Sequence, residues 1–146
     1  MEKEVLLTIT GTQRIQDEPP ETTKLVTEGV MRFEDDAVEL SYEETELTGL
    51  TGTVTTFRIE GARVILSRSG ALESRMVFAV GQEDHSLYDI GYGALMIAVR
   101  AERIRSNVNE NGGTLEVAYA IAIEEESTGT IEYRVDVRPK ERKHVV

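Results

Sequence analysis

Apolar and polar residues alternate with a period of two along most of the chain. That is the pattern of strands with one face in a core and one in water. Val5, Leu7 and Ile9 stand against Leu6, Thr8 and Thr10. Residues 25–34 and 37–45 pair around Asp35-Asp36, a hairpin-type turn signal. In the second of these, Val38, Leu40 and Tyr42 share one face and Glu39, Ser41 and Glu43 the other. Thr55, Phe57 and Ile59 alternate within 53–60, Val64 and Leu66 within 63–69, and Met76, Phe78 and Val80 within 73–80. Gly61-Ala62 and Ser69-Gly70 supply the links, and Gly81 to Asp84 reads as a loop. Further strands are expected over 86–90, 94–105, 114–126 and 130–137, with turns at Asn109 to Gly113 and Ser127 to Gly129.

This pattern predicts an all-β chain of about eight to ten strands joined mostly by short turns, hence an antiparallel meander. Closing the meander into a barrel removes its edges, so a closed antiparallel β-barrel is expected; a two-sheet sandwich is the rival. Proline is absent from 21 through 138, so no strand there is confined to an edge by its chemistry. Residues 94–107 are rich in helix formers, yet Ile97-Ala98-Val99 fits a sheet and Gly93 offers no helix cap. They are read as strand.

The chain has 146 residues, which predicts one domain over 1–146, ending in a short basic tail over 138–146. With 27 acidic and 16 basic residues the formal charge is −11. Such a surface repels nucleic acid and anionic membranes, so neither is expected as a partner. There is no Cys, and the two His, His85 and His144, are far apart in sequence, so neither a metal nor any other cofactor is expected. The start, Met1-Glu2-Lys3-Glu4, lacks the basic and apolar regions of a signal peptide, and the longest apolar run, Ala94 to Val99, is far short of the roughly 20 residues of a membrane span. A cytoplasmic protein is expected.

In a barrel, chemistry belongs to polar residues in phase with the core. Glu44 follows Val38, Leu40 and Tyr42; Arg68 follows Val64 and Leu66; Tyr119 lies between Val117 and Ile121. A buried charge needs a partner, and Arg68 or Arg100 would suit Glu44. Such residues would form either an internal ion pair or the polar floor of a ligand cavity. Catalytic spacings are missing: there is no phosphate-binding glycine loop and no Gly-x-Ser-x-Gly elbow, and the adjacent His85 and Ser86 would point to opposite faces. An enzyme is not expected. The rival, a barrel enzyme, would use Glu44 as base and Arg68 to hold an anion. The second rival is a packed structural or protein-docking module. The segment Tyr88-Asp89-Ile90-Gly91-Tyr92-Gly93 has the look of a bend bordering a barrel end.

Several short motifs in order resemble one family: Tyr42-Glu43-Glu44-Thr45, Gly52-Thr53, Arg68-Ser69-Gly70, Ser74 to Phe78, His85 to Asp89, Tyr92-Gly93, Asn107, Gly112-Gly113 and Tyr119. The chain is similar over about residues 3–138 to the YwiB-like family of small bacterial proteins, DUF1934, a domain of unknown function. The resemblance implies a calycin-like barrel, akin to lipocalins, and brings no catalytic residues with it. The family usually has Thr-Pro where this chain has Ile90-Gly91, which loosens a turn. Together with the residue pattern, it leads to the expectation that the barrel binds a small, partly apolar molecule with an acidic or polar head. Phe57, Met76 and Phe78, with Leu40 and Leu66, would meet the apolar part; Arg68, Tyr42, Tyr119 and Glu44 would meet the head; and Tyr88, Asp89 and Tyr92 would border the mouth.

Overall fold

The computed structural model describes residues 1–46, 49–89 and 93–140, with only the backbone of Tyr88 and Asp89. Ten strands follow one another: β1 (Glu2–Ile15), β2 (Glu21–Glu34), β3 (Ala37–Glu43), β4 (Thr53–Glu60), β5 (Arg63–Gly70), β6 (Ser74–Ala79), β7 (Glu83–Asp89), β8 (Ala94–Ser106), β9 (Gly113–Ile123) and β10 (Glu126–Pro139). They form one sheet in the order β6-β5-β4-β3-β2-β1-β10-β9-β8-β7, with antiparallel neighbours. The sheet curls into a nearly closed barrel. At the seam Val80 bridges Ala101 in parallel, and the Gly81 N–H donates to the Ala101 carbonyl at 3.2 Å. The Val77 N–H donates instead to the Asp84 carboxylate at 2.9 Å, so a side chain stands in for a missing strand partner. Among the described residues no helix is long and apolar enough to cross a membrane.

The alternation read from the sequence is the inward and outward alternation of the barrel. Val5, Leu7, Leu40, Phe57, Val64, Leu66, Phe78, Val117 and Val135 are buried in one core. Four aromatic rings fill its middle: Phe78 lies 4.4 Å from Tyr119, Tyr119 stacks on Tyr133 at 6.3 Å, and Phe57 meets Tyr133 edge-on at 5.9 Å. Residues 94–106 are strand, as read. Gly29 faces inward between β1 and β3, where a Cβ would lie 2.6 Å from the Ser41 carbonyl oxygen and 2.7 Å from Leu7 Cδ1, so only glycine fits.

Several boundaries differ from the sequence reading: β2 begins at Glu21 rather than at 25, and β3 ends at Glu43 rather than at 45. Glu83 and Asp84 belong to β7 rather than to a loop. The β9–β10 turn falls at Glu124-Glu125, both at positive φ, and not at Ser127 to Gly129, where the register shifts instead. Glutamates carry no turn signal, but this pair is anchored: the Glu124 N–H donates to the Met96 carbonyl at 2.9 Å, and the Met96 N–H to Glu124 Oε1 at 2.8 Å. At the far end of the chain, Arg138 and Pro139 still pair with Leu6 and Val5 in β10.

Candidate functional site

Odd-numbered strands run toward one end of the barrel, and that end carries the polar interior. Register stacks the inward residues of β3, β4, β5 and β6 in rows. Val38, Ile59, Val64 and Phe78 make one row, and Leu40, Phe57, Leu66 and Met76 the next. Two residues further along the same strands the chemistry changes, to Tyr42, Thr55, Arg68 and Ser74. Past these lie Glu44 and Thr53, joined by a Glu44 N–H bond to the Thr53 carbonyl at 2.8 Å.

Glu44 is only 6% exposed and Thr53 only 1%. The Thr55 hydroxyl donates to Glu44 Oε1 at 2.7 Å. Burial, followed by the charge and a hydrogen bond of Glu44, holds the Tyr42 phenol well above its ordinary range, while the positive charge of Arg68 pulls the other way. Three buried oxygens in these two adjoining rows have no hydrogen-bond partner among the described residues: Glu44 Oε2, Thr53 Oγ1 and Ser74 Oγ. Buried polar atoms are nearly always bonded, because an unmade bond costs about 1–3 kcal/mol. Their concentration at this end of the barrel marks it as the candidate site.

At the same end, a small, partly open pocket of about 90 Å³ is lined by Gly11, Gln13, Glu21, Thr23, Ile131 and Tyr133. Tyr133 links the two, since its phenol is among the groups whose field reaches Tyr42. Among the described residues no group of three or more acidic or His side chains is arranged to hold a metal ion.

The structure therefore brings together Tyr42, Glu44 and Arg68, with Met76 and Phe57 in the row beneath. Phe78 and Tyr119 lie in the aromatic core, their rings tilted at 30° to each other. Arg100 is exposed on the outer face, opposite Glu83 of β7, and is no partner for Glu44; its in-phase neighbours Met96 and Ala98 face outward with it. Tyr92 and the side chains of Tyr88 and Asp89 lie outside the described residues, although the β7–β8 connection leaves from this same end. Sequence reasoning missed Thr53, Ser74 and Tyr133. Ser74 and Tyr133 each stand two residues from a core apolar residue on their own strands, and Thr53 is in phase with Phe57 four residues on, which was the available signal.

A ten-stranded, nearly closed antiparallel barrel with a polar layer at one end is the class that fold and site define. The model of the family described as a domain of unknown function, DUF1934, matches residues 7–135, and the chain belongs to that family. It is 25% identical over 127 residues to the "uncharacterized beta-barrel protein YwiB" of Bacillus subtilis (strain 168), covering 86% of this chain and 88% of that protein. The crystal structure of the ywiB protein from Bacillus subtilis has the same fold, with a TM-score of 0.84 at 20% identity, over 96% of this chain and 94% of that one.

Proposed function

We propose that the protein is a binding barrel and not an enzyme, and that it holds a small, partly apolar molecule by a polar head at the Glu44 end. The observation that carries this reading is the set of three buried oxygens without partners, Glu44 Oε2, Thr53 Oγ1 and Ser74 Oγ. A head group with both a donor and an acceptor answers them together. Its donor meets Glu44 Oε2, and its acceptor takes the hydroxyls of Thr53 and Ser74 and the guanidinium of Arg68. The apolar part rests on the row of Leu40, Leu66 and Met76, where the unbranched Met76 gives way most easily.

Native mass spectrometry of protein purified gently from its own host tests the reading. A co-purifying small molecule is expected, and Arg68→Ala should lose it. A clean unliganded mass, under conditions that preserve known weak complexes, would return the barrel to a packed structural or docking module.

A further inference from the structure

The barrel has one long strand that is only partly used. β2 pairs with β1 from Glu21 to Arg32, but with β3 only from Val30 to Glu34. Among the described residues, the stretch Thr23 to Gly29 is hydrogen-bonded to a neighbouring strand on one side alone. Such an edge is a template for another strand, and proteins usually blunt it. This one carries Lys24 and Glu28 on its outer face with Val26, 56% exposed, between them.

We propose that this edge pairs antiparallel with the same edge of a second copy, centred on Val26, so that two barrels share a continuous sheet. Two-fold symmetry and the in-out alternation of side chains allow only registers that place some residue opposite itself. Centring on Val26 sets Lys24 opposite the partner's Glu28 and Glu28 opposite the partner's Lys24. Centring on Lys24 would oppose two lysines, and centring on Leu25 or Thr27 would set a charged residue against Val26. The Val26 register is thus the one in which the outward charges complement each other. It also uses the unpaired stretch from end to end, since the overlap runs from Thr23 to Gly29 and stops where β3 begins at Val30. Where β3 peels away, an open groove of about 700 Å³, lined by Thr27, Gly29 and Tyr42 among others, leaves room for the end of the incoming strand. Glu28 already meets Lys140 at 2.8 Å through Oε1, and its other oxygen remains for Lys24 of the partner subunit.

Sedimentation equilibrium of the full chain over a wide concentration range is the test. A monomer–dimer equilibrium is expected. Lys24→Glu should weaken it by about tenfold or more, Glu28→Lys likewise, and the double variant Lys24→Glu/Glu28→Lys should restore it to within about threefold. These changes touch only exposed side chains, so folding is preserved. Amide exchange along Thr23 to Gly29 should slow as the dimer forms. A monomer at every concentration, including one that captures an extended peptide on this edge, would overturn the proposal. So would a dimer indifferent to Lys24→Glu, or one that the double variant fails to restore.

Discussion

Two neighbouring rows of the barrel interior share strands, face and backbone geometry, and differ in almost everything else. Leu40, Phe57, Leu66 and Met76 form one; Tyr42, Thr55, Arg68 and Ser74 form the other, about 7 Å along the strands. The first row is held by the removal of apolar surface from water, worth about 1.5–3 kcal/mol for each large side chain. The second surrenders hydration and recovers it only in part, because three oxygens in it and in the row just past it remain without partners among the described residues. The same meander thus supplies a stabilising layer and, one step further, a layer that leaves buried polar atoms without partners among the described residues.

The largest effect should come from the apolar side of this contrast. Phe78 is fully buried against Tyr119, so Phe78→Ala should cost about 3–5 kcal/mol in equilibrium urea unfolding. Ser74, four residues earlier on β6 and also facing inward, gives the opposite expectation. Its hydroxyl has no partner to lose, so Ser74→Ala should leave stability within about 0.5 kcal/mol or raise it slightly. A large loss on Ser74→Ala would mean that the polar layer is structural, and the contrast between the rows would collapse.

Glu44→Leu should fall between these. It removes the acceptor of the Thr55 hydroxyl and of the Tyr42 phenol, while also removing the unpartnered Oε2. The expected net loss is about 1–3 kcal/mol by chemical denaturation. A gain in stability, with any bound small molecule lost at the same time, would sharpen the comparison further, since it would show a residue kept at a thermodynamic cost.

The strands, their antiparallel order and the inward phase of Tyr42, Glu44 and Arg68 were legible because period-two patterning and short links nearly determine a meander. The positions that were misread had a competing local cause. Glu124-Glu125 turns because Met96 satisfies the backbone and carboxylate of Glu124, a contact between strands far apart in sequence. Arg100 was considered as a partner for Glu44 although its phase followed Met96 and Ala98 away from Ile97, and β8 does face Ile97 and Val99 inward. Thr53 and Ser74 were harder, because a small hydroxyl in core phase looks the same whether it packs, bonds or waits for a ligand. Only the register that aligns β3 with β6 brings them to the same end of the barrel, in adjoining rows.

The most specific effect concerns Tyr42. Its phenol is raised by burial first and then by the Glu44 carboxylate, so the folded state holds the phenolic proton more tightly than the unfolded chain, whose ordinary value is 10.0. A raised value means that this contribution is fully present below pH 10 and is lost as pH rises through the folded value. Stability should therefore be independent of Tyr42 ionisation at neutral pH and should decline with a steeper slope above pH 10. Tyr42→Phe should cost about 1 kcal/mol near neutrality, the net worth of one buried hydrogen bond, and should flatten the alkaline slope. Denaturant unfolding at a series of pH values, with phenolate absorbance followed in parallel, measures both. Identical alkaline slopes in the two proteins would mean that Tyr42 titrates as it does in water. The polar row would then be open to solvent, and its difference from the row beneath would be one of exposure and not of chemistry.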